Sequence, residues 1–334
     1  MGVVADAGFS ERVGQHVTSA VAKAAPGTEV SFETVALPPD RMGNPDYERW
    51  ARVLGDRWDL VLAVSELPAH VGPRPVLAEC ASDTIAALFV PATGALRVGH
   101  RSARVAEAAI ARMIGPDDDD TAAPLARTRW VEEENGRCRL MGSAALGRAR
   151  LVAGMVRANR PWRLVPTLTP AFGAASAASA FGIFYSSIWL MAASISVWRL
   201  ATIVLTALVA MCAWLILPNR LLERRGFRTD RSERSLYNTA TLATVVVGVL
   251  CMSVLLAVAV AAVAAIVISP DFLGDTLGRE ATIVDYARLV ALSTALGIVA
   301  GAVGTSAADH DEILRATYGQ REYERRMRDA DSGS

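Results

Sequence analysis

Thr239–Ile268 reads TATLATVVVGVLCMSVLLAVAVAAVAAIVI, 30 residues without a charge. About 20 mostly apolar residues let a helix cross the hydrocarbon core of a bilayer. At helical rise this stretch is about 45 Å long, so it must tilt or project from the membrane. Three further windows read the same way: Ala171–Ala193, Leu200–Leu217 with Arg199 at its start, and Leu289–Ala308. The first is rich in Ala, Gly and Ser, with Pro166 and Pro170 just before it. The C-terminal part, 165–308, therefore reads as an all-α bundle of four transmembrane helices, and 309–334 as a charged tail. No Asp, Glu, Lys, Arg or His lies inside the windows, which argues against an ion-coupled carrier.

Orientation follows from arginine in the short flanks. Arg148, Arg150, Arg157, Arg160 and Arg163 precede the first window; Arg220, Arg224, Arg225, Arg228, Arg231 and Arg234 lie between the second and third. Arg315, Arg321, Arg325, Arg326 and Arg328 follow the fourth. The connection Ser194–Trp198 has no arginine, and in Ser269–Arg288 two arginines face four carboxylates. The pattern predicts a multi-pass protein of the cell membrane with both termini cytoplasmic. Small residues recur at helix-packing spacing: Gly173–Ala177, Ala174–Ala178–Gly182, Ala257–Ala261–Ala265, and Gly297–Gly301 with Gly304 nearby. They suit packing within one bundle, with a homo-oligomer contact as the alternative.

Residues 1–115 alternate between strand and helix patterns. Gly2–Ala5, Glu29–Ala36, Leu60–Val64, Val76–Cys80 and Ile85–Val90 read as strands, the last two paired through Ser82–Asp83. Helices follow Ser10, as an N-cap, and Asn44-Pro45; a last one carries Val105, Ala109 and Met113. The order predicts a cytoplasmic α/β domain, its mostly parallel sheet covered by helices. The segment 116–164 reads as a linker containing Asp117–Asp120, a hairpin turning at Asn135-Gly136, and an arginine-studded stretch from Leu146 to Trp162 suited equally to the membrane face or to a plain stop-transfer flank.

Formal net charge is zero, Lys23 is the only lysine, and no nucleic-acid motif is present. The four cysteines, Cys80, Cys138, Cys212 and Cys251, have neither CxxC nor zinc-type spacing. There is no GxGxxG after the first strand, no GxxxxGK[ST], no GxSxG and no HExxH. His16, His100 and His310 have no second ligand at metal spacing, and Asp309–Glu312 reads as a polar helix cap. The expectation is a protein without metal or other cofactor, and no catalytic residue stands out.

One loop concentrates chemistry. Ser65–Pro75, SELPAHVGPRP, follows the central strand at its carboxyl end, where open α/β sheets take ligands. Glu66, His70 and Arg74 supply a carboxylate, an imidazole and a guanidinium, stiffened by Pro68, Pro73 and Pro75. The end of the first strand, with Asp6 and Ser10, should open onto the same edge. These five residues are the candidate ligand site. The competing reading is a rigid connection with solvated charges.

Four strings resemble a family of actinobacterial membrane proteins of unassigned function that join an N-terminal cytoplasmic α/β domain to four helices. They are Asp59–Glu79 (DLVLAVSELPAHVGPRPVLAE), Met155–Pro166 (MVRANRPWRLVP), Phe181–Leu190 (FGIFYSSIWL) and Leu236–Leu242 (LYNTATL). The resemblance covers nearly the whole chain and implies the same architecture. Some family members are labelled methylene-tetrahydrofolate dehydrogenase. The soluble part is also distantly similar to the zincin-type α/β core, in a form without its metal motif. The sequence thus supports a membrane-tethered binding or scaffold module, its partners the bilayer and a small anionic ligand or a cytoplasmic protein. A membrane-attached enzyme acting on a small anionic substrate is the alternative, and a transporter a distant third.

Overall fold

The computed structural model describes residues 1–24, 27–37, 39–40, 44–54, 57–114, 124–133, 136–163, 166, 168–219, 221–222 and 231–304. Asp117–Asp120, Asn135, Arg220, Arg224, Arg225, Arg228 and the tail with Asp309–Glu312 lie outside them. The chain divides into two compact units, Met1–Ala158 with Arg228–Ala240, and Asn159–Phe227 with Thr241–Ser334.

The first unit is built on one sheet. Its strands are β1 Gly2–Ala5, β2 Ser31–Thr34, β3 Val61–Ser65, β4 His70–Val71, β5 Arg74–Cys80, β6 Ile85–Phe89, β7 Thr128–Glu132 and β8 Cys138–Gly142. They lie in the order β2-β1-β3-β6-β5-β8-β7, with β4 paired to β5. The pairs β1–β2, β1–β3 and β3–β6 are parallel. The pairs β4–β5, β5–β6, β5–β8 and β7–β8 are antiparallel. The sheet is therefore mixed rather than mostly parallel. The reason is the hairpin β7–β8, which docks on β5 instead of standing in a linker.

An ion-pair network ties that hairpin down. Glu79 of β5 is buried opposite Arg139 of β8, whose Nη2 donates to it at 3.2 Å. Arg137 stands 3.7 Å from the same carboxylate, and Arg139 also pairs with Glu133. Removing both arginines would leave the buried Glu79 charge uncompensated, which costs about 3–5 kcal/mol.

Around the sheet pack α1 Phe9–Ala24, α2 Tyr47–Leu54, the short α3 Val90–Thr93, α4 Val98–Ile114 and α5 Ala144–Asn159. Helices α1 and α4 touch one another, and Val13, Val17 and Val21 of α1 join Val105, Ala106 and Ala109 of α4 in the core. Trp50 and Leu54 are the fully buried residues of α2. Leu151 and Met155 of α5 belong to the α/β core. Gly154 makes this approach feasible, because a Cβ there would collide with the Pro91 carbonyl.

The second unit holds α6 Thr169–Phe184, α7 Ser186–Ser194, α8 Val197–Ile216, the greater part of α9 Arg231–Val267, α10 Pro270–Leu277 and α11 Ile283–Gly304. Among the described residues, three helices are long and apolar enough to cross a membrane: Val197–Ile216, Arg234–Val267 and Ile283–Gly304. The bent pair α6–α7 makes up to four if it counts as one span. The first window was expected as one helix, but the chain turns by 85° at Tyr185. Tyr185 leaves the helical region (φ −107°, ψ 108°), and Trp189 Nε1 donates to the Gly182 carbonyl at 3.0 Å across the bend. A freed carbonyl in hydrocarbon would otherwise cost several kcal/mol.

Helix α11 starts at Ile283, before the expected Leu289, and so takes in Asp285 and Arg288. Asp285 accepts from the Thr282 N–H at 2.9 Å and from Arg279 Nη1 at 2.8 Å, a capping arrangement at the helix start. Gly297 and Gly301 meet the backbone carbonyls of Ala175 and Ala171 on α6, so this stripe packs within the chain. Ala261 and Ala265 are exposed, and Gly173 meets nothing within 4 Å. Leu205, Val209, Val254, Val258 and Ile266 are also exposed, Ile266 at 84%. In water each such side chain forfeits about 1.5–3 kcal/mol of transfer free energy; in lipid it forfeits none.

Cys80 faces Cys138 across β5–β8, and both are buried thiols that form no disulfide. Burial, helped by the neighbouring Cys138, pushes the Cys80 thiol up from 9.0 to about 12. The folded chain thus holds this proton more tightly than the unfolded one. The stability it contributes is whole below pH 9.0 and is lost as pH rises toward about 12. Thermal melts over this alkaline range should therefore fall more steeply for the wild type than for Cys80→Ala. Parallel pH profiles would refute the assignment.

Candidate functional site

The carboxyl ends of β1 and β3 lie side by side, where strand order reverses between β2 and β3. In a doubly wound sheet that crevice takes the ligand, with its phosphate on the N-terminus of the following helix. Here the chain fills that position itself. Glu66 Oε1 accepts the backbone N–H of Phe9 at 2.7 Å and of Ser10 at 2.9 Å, the opening residues of α1. Ser10 Oγ lies 3.3 Å from the same oxygen and 3.1 Å from the Asp6 carbonyl. Gly8, with φ +123°, makes the tight turn before the helix; a Cβ there would be 3.3 Å from Glu66 Oε1. Asp6 is buried, its Oδ1 accepting the Leu37 N–H at 2.8 Å.

Asp6, Ser10 and Glu66 therefore do converge, as the parallel arrangement of their strands requires, but Glu66 Oε1, Ser10 Oγ and Asp6 Oδ1 are each turned onto backbone groups. Ser10 sits inside the helix rather than capping it; the cap comes from Glu66, 56 residues away. A carboxylate at a helix N-terminus satisfies orphan N–H groups and meets the positive end of the helix dipole.

His70 and Arg74 go elsewhere. His70 lies in β4 opposite Pro75, beside a gap of about 10 Å³ lined by Pro73, Pro75, Arg148 and Leu151 among others. That holds about one water at most. Arg74 opens β5 and lines a cleft of about 350 Å³ with Arg127, Thr128, Arg129, Gly142 and Ser143. Neither space is lined by Glu66, so the three charged residues of the loop do not form one site.

The cleft has the chemistry that the loop lacks. Arg127 and Arg129 flank Thr128 at the start of β7, and register places Thr128 opposite Gly142. Ser143 and Ala144 bring the first turn of α5, which has no acidic residue. None of Arg74, Arg127 and Arg129 has a carboxylate partner among the described residues. Arg127 has φ 61°, a left-handed conformation that costs a non-glycine residue about 1 kcal/mol or more. Sequence reading placed Arg129 in the hairpin but not at a site, and passed over Arg127 and Ser143. The available signal was the Arg127-Thr128-Arg129 spacing, which only the docking of β8 on β5 carries to Arg74.

Compared with protein-family models, curated proteins and solved structures, the chain matches none of them.

Replacing Glu66 by alanine should lower the stability of the α/β unit by about 2 kcal/mol, since two N–H donors lose a charged acceptor. Glu66→Gln should lose less. Melting of the full chain in detergent tests this, and an alanine variant as stable as the wild type would refute the cap.

Proposed function

We propose that the protein is a membrane-tethered binding module whose α/β domain takes a small anionic ligand between Arg74, Arg127 and Arg129. The observation that carries the reading is the cleft of about 350 Å³ in which these arginines meet the start of α5. Its volume is within the usual range for small-molecule sites, about 300–1,000 Å³. Guanidinium groups bind carboxylate or phosphate through paired N–H donors. The helix start adds unsatisfied backbone N–H groups. A dinucleotide enzyme is disfavoured because the α1 N–H groups that would receive a pyrophosphate hold Glu66.

The expected probe is citrate, whose three carboxylates match three guanidiniums. Citrate at constant ionic strength should raise the melting temperature of the full chain in detergent. Arg74→Ala with Arg129→Ala should abolish that rise while leaving the ligand-free melt within about 0.5 kcal/mol of wild type. An undiminished rise in the double variant would dismiss the cleft.

The bundle is proposed to make four spans, α6–α7 together forming the first, with both termini in the cytoplasm. Support comes from the arginine-rich flanks, all of which this arrangement puts on one side. Reporter fusions after Asp275 should be active outside the cell, and fusions after Arg228 inactive there. The reverse pattern would overturn the topology.

A further inference from the structure

Two more arginines meet at Gly94. Arg101 stands in the first turn of α4 and Arg150 midway along α5. Both reach Gly94, which follows α3 beyond the carboxyl end of β6. A Cβ on Gly94 would lie 2.8 Å from Arg150 Cγ and 3.1 Å from Arg101 Nη1, and its φ of +100° disfavours any side chain. Arg101 Nη1 donates to the Thr93 carbonyl at 3.1 Å. Arg150 Nε is buried without a hydrogen-bond acceptor among the described residues. Neither arginine has a carboxylate partner among them.

Two partly buried cations side by side oppose folding unless something gains from them. Burial and then the nearby Arg101 both push the Arg150 guanidinium below its usual range, the direction expected of a strained like-charge pair. We propose that Arg101 and Arg150 form a separate oxyanion site at the carboxyl end of β6, suited to a dianionic phosphoryl group. Two formal positive charges match a dianion better than a single carboxylate, and the planar guanidinium fork matches phosphate oxygens. The position is the edge at which parallel strands present ligands. With Glu66 on α1, the guanidinium pair supplies at β6 the anion recognition that α1 no longer offers. Arg101 and Gly94 do not line the Arg74 cleft, while Arg150 Nη2 comes within 3.4 Å of a Cβ placed on Gly142 at its wall, so the Arg74→Ala with Arg129→Ala variant is what separates the two sites.

The test uses the full chain in detergent micelles at constant ionic strength, titrated calorimetrically with inorganic phosphate and with glycerol 3-phosphate. Saturable binding that chloride does not reproduce is expected. Tighter binding of the ester would identify an organic phosphate as the ligand, and equal binding the free ion. Arg101→Gln and Arg150→Gln should each weaken binding about tenfold or more. Arg150→Lys should weaken it too, because an ammonium cannot present the fork. The variant Arg74→Ala with Arg129→Ala should bind phosphate as the wild type does. Without phosphate, Arg150→Gln should melt at or above the wild-type temperature, since it relieves a like-charge pair. The proposal is overturned if the wild type binds neither probe saturably, or if Arg101→Gln with Arg150→Gln leaves affinity unchanged. It is equally overturned if Arg150→Gln melts below wild type without phosphate, which would make Arg150 a structural residue.

Discussion

The hydrogen bonds from Phe9 and Ser10 to the Glu66 carboxylate govern what the α/β unit can do. They join the turn after β1 to the residue after β3, at the point where a sheet of this order ordinarily receives a phosphate. An internal carboxylate there gives the helix its cap without any ligand. Gly8 and Ser10 are then explained by the turn and by packing around that oxygen. Arginines without carboxylate partners among the described residues stand elsewhere along the sheet, at Arg74, Arg127 and Arg129.

The grouping of these arginines depends on the hairpin β7–β8. Glu79, buried in β5, needs cations, and Arg139 and Arg137 on the hairpin side supply them. Once β8 lies on β5, the start of β7 and the start of α5 stand beside Arg74. A stabilising ion-pair network and a candidate binding cleft thus share one strand pairing. The cost of leaving Glu79 unpaired makes the pairing specific, and the cleft follows from it.

In the helical unit the governing constraint is backbone satisfaction in a medium without water. The break at Tyr185 is tolerated because Trp189 takes the Gly182 carbonyl. Gly297 and Gly301 let α11 approach the α6 backbone closely, so association comes from packing small residues rather than from polar contacts alone. The one carboxylate within the described span Ile283–Gly304, Asp285, lies in its first turn and is held by Arg279 and Thr282.

Sequence by itself determined the features encoded over a few neighbouring residues. The long apolar runs, the hairpin through Ser82–Asp83, the pairing of β7 with β8 and the strand Val61–Ser65 all follow from local periodicity and turn chemistry. Sequence also brought Asp6, Ser10 and Glu66 to one edge, because consecutive parallel strands present their carboxyl ends together. What those side chains do there was decided by tertiary structure. Whether Glu66 faces a ligand or the N–H groups of α1 depends on where α1 starts relative to β3, across 56 residues. The meeting of Arg74 with Arg127 and Arg129, and of Arg101 with Arg150, depends on strand order and helix placement. No local pattern carries that information, since it arises from pairing energies between distant segments.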